Sequence, residues 1–316
     1  KQNDLQKSSH LNLYNWNSKF MWIFSALASA LLLRVYDIFK KISLKENAVI
    51  PVLAGSIFIS ALLFSCCILL SHTHPATMKS VAFYVPSINW ETHLSIFMKA
   101  SIVLGSWISA YFGMKYVPLT IFSPIRATQP IWTVLGAFIL FSEHLTTLQI
   151  IGITITITAF YLFSLIGIKE EFSLKNNKWV WLIILATLLG SASGLYDKHL
   201  MTNYDRVAVQ VYSTIYQAII MLFILIFVWY PQCKKSTAFQ WRWSIVGIAI
   251  FLTLADYLYF WALSQEGALI SIISTIRRSG AIVPFLYGAL FLHEKNLLKK
   301  GILLIFILLG VFLLVV

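Results

Sequence analysis

The chain has 316 residues, of which 59% are hydrophobic, 15% aromatic and 11% charged, with a mean hydropathy of +0.79. Soluble globular domains carry about a quarter of their residues as charged groups, so the composition excludes a soluble enzyme, a secreted disulfide scaffold and a disordered chain. The formal charge of +12 belongs first to loops that flank membrane spans; no basic stripe with interleaved aromatics stands outside the apolar runs, and nucleic acid is not expected as a partner.

In chain order, residues 1–18 form a polar tail, and the first apolar run is long enough to stay in the membrane rather than serve as a cleavable leader. Apolar runs follow at 20–39, 48–70, 92–115, 118–142, 147–167, 179–201, 206–229, 243–264, 268–292 and 300–316. Each approaches the roughly 20 residues that cross a bilayer as a helix, and none has the short alternating pattern of a barrel strand. The expected fold class is an all-α integral membrane protein with ten transmembrane helices. Trp16, Trp22, Trp90, Trp179, Trp181, Trp229, Trp241 and Trp243 fall at predicted span ends, where an aromatic belt forms. The connection 71–91 is the longest and has room for a short surface segment; its His72-Thr73-His74 is a lone HxH without a further ligand. Cys66, Cys67 and Cys233 have neither disulfide nor zinc spacing and read as apolar filler. No metal, cofactor or catalytic constellation is expected, and no GxxxxGK[ST] loop is present for ATP.

The order of landmarks recurs. Span 1 ends with Tyr36-Asp37 and span 6 with Tyr196-Asp197; span 4 carries Ile125-Arg126 and ends at Glu143, while span 9 carries Ile276-Arg277 and ends at Glu294. Tyr111-Phe112 in span 3 answers Tyr259-Phe260 in span 8. The chain divides into a first unit at 19–167, a linker at 168–178 and a second unit at 179–316, each of five helices. Two copies of an odd-span unit must cross the membrane in opposite senses, which makes an inverted repeat with its site between the halves near the midplane.

The stretches YFGMKYVPLTIFSPIRATQPIWTVLGAFILFSEHLTTLQIIG (111–152) and YFWALSQEGALISIISTIRRSGAIVPFLYGALFLHEKNLLKKG (259–301) resemble the span 3–5 pattern of the EamA branch of the drug/metabolite transporter superfamily. Both contain an aromatic turn, a proline-bearing span, a closing glutamate and a glycine that opens the last span. The resemblance covers the chain from span 1 onward. It implies a ten-helix carrier of small metabolites, often amino acids or related compounds, working by alternating access, and it does not specify the substrate.

Charges at membrane depth persist when they are paired or face a watery cavity, which singles out Arg34, Asp37, Arg126, Asp197, Asp256, Arg277 and Arg278. Two acid–base clusters are predicted, one toward each side: Arg34, Asp37 and Arg126, then Asp197, Arg277 and Arg278. They read either as rims that open alternately or as static ion pairs tying span 1 to span 4 and span 6 to span 9. Asp256, in the middle of span 8 without a basic neighbour on its own span, is the candidate for proton coupling; the alternative is an ion pair with Arg278 or Lys99. Pro124 and Pro130 flank Arg126, and Pro284 follows Arg277, predicting broken helices beside a site or packing kinks. Gln129, Gln210 and Gln217 supply neutral hydrogen bonds, and Tyr36, Tyr111, Tyr196, Tyr259 and Trp261 either stack on a substrate or pack. Small residues at Ser25, Ala26, Ala28, Ser29 and Ala30, and at Gly190 through Gly194, read as packing faces. Glu143-His144 and His293-Glu294 read as helix-end residues at the water interface.

Thirteen Lys and Arg fall in loops on one face against six on the face that holds both termini, which places the termini outside, whereas the resemblance implies cytoplasmic termini. The expected function is secondary transport of a small polar metabolite, an amino acid or relative for preference and in the export direction, across a cell membrane of the bacterial inner-membrane kind. Expected partners are a small-molecule substrate and the lipid bilayer, with the chain a monomer or homodimer. The competing classes are a membrane enzyme or lipid-handling protein, and a membrane receptor that transports nothing.

Overall fold

The structure is a computed structural model that describes residues 2–117, 122, 125–126, 128–165, 177–235, 237–279 and 297–315. All regular structure among these residues is helical. In chain order the helices are α1 (Gln2–Leu44), α2 (Val49–Thr73), α3 (Pro75–Ser80), α4 (Trp90–Tyr116), α5 (Gln129–Phe141), α6 (Thr147–Leu165), α7 (Lys178–Asn203), α8 (Arg206–Phe223), α9 (Ser244–Leu263), α10 (Ile270–Ser279) and α11 (Leu297–Val315). Among the described residues, six segments are long and apolar enough to cross a membrane, namely Met21–Leu44, Val49–Thr73, Trp90–Tyr116, Lys178–Asn203, Arg206–Lys234 and Ser244–Leu263. Shorter apolar helices cover Gln129–Phe141, Thr147–Ala159 and Gly301–Leu314. Helix α8 passes into a π-helical turn at Ile224–Trp229 and a 3-10 stretch at Tyr230–Lys235.

Helix boundaries follow local chemistry. Asn89, Asn177 and Asp205 cap α4, α7 and α8 by accepting hydrogen bonds from the backbone N–H groups of Thr92, Trp179 and Ala208, which satisfies donors that no helical carbonyl can reach. Within the predicted span 118–142 the described residues 122, 125 and 126 are helical, Thr128 is in a turn, and α5 opens at Gln129 with Pro130 in its first turn. Proline costs nothing there because its missing N–H has no helical partner at that position, so Pro130 starts a helix rather than breaking one. Pro124 and Pro284 lie outside the described residues. The predicted surface segment in 71–91 is α3, with exposed His74 at its N-cap.

The packing between the halves is reciprocal. Helix α1 packs along α9 as α4 packs along α7, and α10 meets α1 as α5 meets α7. Helices α2 and α8 pack together, as do α5 and α10, and α6 and α11. Lipid gives helices no hydrophobic reason to associate, so close contact depends on small residues and shape. In the α1–α9 seam, Ala26 and Ala30 are buried and the Ser29 hydroxyl donates to the Ala255 carbonyl at 2.7 Å. In the α6–α11 seam the backbones touch: a Cβ on Gly152 would stand 2.7 Å from the Gly310 carbonyl oxygen. The aromatic belt is only partly as expected. Trp90, Trp181, Trp241 and Trp243 are exposed, but Trp22 is buried in the main apolar cluster with Ile23, Tyr259 and Leu263. A tryptophan near a span end satisfies the belt pattern whichever way its helix is rotated, and helix–helix packing turns this one inward.

Candidate functional site

Eight helical segments converge on one cavity of about 180 Å³. Its lining includes Asp37 and Lys40 from α1, Ser56 and Ser60 from α2, Lys99 and Tyr111 from α4, and Arg126, Gln129 and Thr133 from α5 and the residues before it. The second half supplies Gly190, Gly194 and Asp197 from α7, Gln210 and Gln217 from α8, Asp256 and Tyr259 from α9, and Arg277 and Arg278 from α10. None of the described lining residues comes from α6 or α11, which pack on each other.

The first-half charges form a triad on a single helix. Asp37 accepts from Arg34 Nη1 at 3.1 Å and from Lys40 Nζ at 2.7 Å, each one helical turn away. Lys40 lies over the Tyr36 ring at 4.5 Å and the Tyr111 ring at 5.4 Å, and the two tyrosine hydroxyls are 3.3 Å apart. Arg34 also donates through Nη2 to the backbone carbonyls of Arg277 and Arg278, at 3.1 Å each, tying α1 to α10. Arg126, expected against Asp37, instead donates through Nη1 to the Ala186 carbonyl at 2.9 Å, an oxygen that also accepts from the Ser106 hydroxyl.

The second-half charges pair across helices. Asp197 is 3.2 Å from Lys99 Nζ of α4, not against Arg277. Arg277 takes Asp256 at 2.9 Å and stacks its guanidinium 4.0 Å above the Tyr259 ring. Arg278 donates to the carboxamide oxygen of Gln129, so its partner is neutral. Asp256 therefore has an ion-pair partner, and it is Arg277 rather than Arg278 or Lys99. All members of the two predicted clusters except Arg34 line one cavity, and they are paired differently from the expectation.

Gln129 and Gln217 are buried in the lining, and Gln210 donates to the Thr253 carbonyl at 3.0 Å. Gly190 and Gly194 do more than let helices approach: a Cβ on Gly190 would stand 2.9 Å from Gln129 Nε2, and one on Gly194 would stand 3.8 Å from the Tyr259 hydroxyl. Trp261 is not among the lining residues; it packs against the main apolar cluster, and its carbonyl accepts from Ser264 and Gln265. Tyr196 likewise packs on that cluster and stacks on His199.

One end of the cavity is fastened by Glu143. Ser142 closes α5 in the left-handed conformation at φ 49°. The buried Glu143 carboxylate that follows accepts from the N–H of Ile270 at 2.8 Å, the N–H of Ser271 at 3.2 Å and the Ser271 hydroxyl at 2.6 Å. These are the free donors at the start of α10, where the helix dipole favours a negative charge. Beside them Lys198 Nζ donates to the Ala268 carbonyl at 2.6 Å. Glu143 is thus a cap between the two halves and not a solvated helix end. Its counterpart Glu294, with His293, lies outside the described residues. At the opposite end, Asn47 bonds the Gln240 backbone in both directions, at 2.7 and 2.8 Å, and Lys115 donates to the Asn47 carbonyl and the Thr237 hydroxyl.

Of the lining cations, Lys40 escaped the sequence reading and Lys99 entered it only as an alternative partner of Asp256. Lys40 falls just past the predicted span 20–39, although its spacing of three from Asp37 signals a one-turn pair. Lys99 stands inside an otherwise apolar run, which is itself the signal for a paired group at membrane depth. Among the described residues there is no group of three His, Cys, Asp or Glu side chains that could hold a metal, and Cys66 and Cys67 are free thiols.

The arrangement suits reversible binding of a polar solute: three ion pairs and buried carboxamides surround an open volume. A model of the EamA-like transporter family matches residues 20–165 and again 177–316. A crystal structure of another protein superposes with a TM-score of 0.69 at 9% identity, covering 94% of this chain and 97% of that one, which shows a shared fold. No curated protein matches the chain in sequence. The doubled match spans most of the chain, and the protein belongs to the EamA-like transporter family, whose members carry small molecules across membranes.

Proposed function

We propose that the protein is a secondary carrier that moves a small polar metabolite by alternating access, its ten spans arranged as two inverted five-helix repeats around the cavity. The observation that carries this reading is the convergence of ion pairs and carboxamides from both halves on one open volume at membrane depth. An inverted repeat can exchange the roles of its halves, so that the cavity opens to one side and then the other. Capping by Glu143 is then an interaction of one state, made and released with each cycle, and Arg34, Asp37, Arg126, Asp197, Arg277 and Arg278 are rim or binding groups. Amino acids and related compounds are the first cargo to test, in the export direction and in a bacterial inner membrane.

Asp256 remains the candidate for proton coupling within this reading. It faces Arg277 directly, with Asp197 and Tyr259 within electrostatic reach. Protonation would release Arg277, linking proton uptake to a change in the pairing around the cavity. The decisive measurement is counterflow of labelled amino acids, sugars, nucleotides and vitamins into proteoliposomes, with protein-free vesicles as control and with or without a pH gradient. Saturable exchange of at least one solute supports the carrier; no exchange of any solute overturns it. Asp256→Asn should keep exchange at equal pH and lose acceleration by the gradient. A variant that still responds to the gradient removes Asp256 from the coupling.

A further inference from the structure

Among its described lining residues the cavity holds five cationic side chains, Lys40, Lys99, Arg126, Arg277 and Arg278, against three carboxylates, Asp37, Asp197 and Asp256. Ion pairing accounts for three of the cations: Lys40 with Asp37, Lys99 with Asp197 and Arg277 with Asp256. The two left over are Arg126 and Arg278. Arg126 bonds a backbone carbonyl and Arg278 a carboxamide oxygen, and neither forms a salt bridge with a carboxylate of the described residues. They come from the opposite halves of the chain and lie within electrostatic reach of one another. Like charges held together away from bulk water repel strongly and call for a counter-charge. An arginine fork matches two oxygens of a carboxylate or phosphate at once, and Gln129, fixed against Gly190, adds a carboxamide at the same place.

We propose that the cargo is anionic, and that its carboxylate or phosphate group sits between Arg126 and Arg278 and supplies the negative charge that the cavity lacks. For the identity of the cargo this rests on the carrier reading; the anion site itself rests on the count of charges and their pairing. Because the two arginines belong to opposite halves, an oxyanion that bridges them adds a charge-assisted link to the bonds that Arg126 and Arg278 already make across the halves.

The test is thermal unfolding of the purified full chain in detergent with succinate, glycerol phosphate, leucine and lysine, each referred to sodium chloride at equal ionic strength, alongside counterflow of the same solutes. Succinate or glycerol phosphate should raise the unfolding temperature, and which of them does so separates a carboxylate from a phosphate cargo. Arg126→Gln and Arg278→Gln should weaken that anion at least about tenfold in apparent affinity, and Arg278→Lys should recover part of it. Monodisperse elution of each variant establishes that it folds, and the ranking of solutes on the wild-type chain bears on the proposal even where a variant does not. The proposal is overturned if neither anion shifts unfolding beyond chloride, if leucine or lysine does so instead, or if the glutamine variants bind the anion unchanged. Anion binding without counterflow keeps the site and refutes the carrier; counterflow of leucine or lysine without anion binding keeps the carrier and refutes the site.

Discussion

Asp37 and Asp197 occupy matching places in the two halves, one near the end of α1 and the other near the end of α7, yet they are held in different ways. Asp37 is flanked by two cations of its own helix, and its side chain is 28% exposed. Asp197 is 8% exposed and depends on Lys99 of another helix, itself 4% exposed. The repeat thus reproduces the position of the acid and not the source of its cation. A pair within one helix survives any rearrangement of the bundle; a pair between helices ties α4 to α7 and is made or lost as they move. The first-half triad behaves as a rigid piece of charged surface, and the second-half pair as a fastening.

Truncating the fastening should give the largest effect. Lys99→Met leaves the Asp197 carboxylate buried without its cation, a class of change that costs about 3–5 kcal/mol, and a drop in unfolding temperature in detergent measures it. Asp197→Asn added to Lys99→Met should recover much of the loss. Lys40→Met is the matched change in the other half. It removes a buried cation but leaves Arg34 on a partly exposed Asp37, so the expected cost is smaller than that of Lys99→Met. Equal destabilisation by Lys99→Met and Lys40→Met would erase the distinction between the two halves.

The next effect concerns the cap that joins them. Glu143→Ala removes three hydrogen bonds from the start of α10 and leaves two backbone N–H groups unsatisfied in a buried place, at a cost of about 1–3 kcal/mol. Glu143→Gln keeps an acceptor but not the charge and should fall between alanine and wild type. If the cap belongs to one state of a transport cycle, Glu143→Ala also makes that end of the cavity more accessible. Cysteine labelling at Ser274, which lines the cavity from α10, should then speed up; an unchanged rate would make Glu143 a purely structural cap.

The fold was legible where it depends on hydropathy along the chain and obscure where it depends on helix rotation. The positions of the six long spans follow from apolar runs, because lipid imposes a length on any helix that crosses it. The one-turn pair of Arg34 and Asp37 could be read from spacing alone. The partners of Asp197, Asp256 and Arg126 could not, because they depend on which faces of separate helices meet, and no residue spacing records that. Lys99 shows the difference: its lone position in an apolar run implied a partner but did not say whether Asp197 or Asp256 would serve. Glu143 was placed at the water interface because it ends an apolar run. It is buried because α5 stops just before it in a left-handed turn and the start of α10 lies alongside. Trp22 was misread for a related reason, and Trp261 stayed open between a substrate and a packing role, since an aromatic side chain fits lipid, core or cavity equally well until its neighbours are known.

The smallest effects sharpen the comparison at the paired tyrosines, Tyr111 and Tyr259. Tyr259 offers the face of its ring to Arg277 at 4.0 Å. Tyr259→Leu should therefore cost about 1–2 kcal/mol of cation–π attraction and loosen the Asp256–Arg277 pair, whereas Tyr259→Phe keeps the face. Tyr111 is engaged through its hydroxyl, 3.3 Å from that of Tyr36, with Lys40 farther from its ring at 5.4 Å. Tyr111→Phe removes that hydrogen bond but preserves the ring, so about 0.5–1 kcal/mol should be lost, visible as a small fall in unfolding temperature. The cavity would gain apolar surface at the end held by the triad, where the charges of Arg34, Asp37 and Lys40 are already mutually satisfied, so the pairing there should not change. An effect of Tyr111→Phe as large as that of Tyr259→Leu would mean that the Tyr36–Tyr111 bond orders Lys40 and through it Asp37. The first-half triad would then depend on α4 as the second-half pair does, and the halves would be alike in mechanism after all.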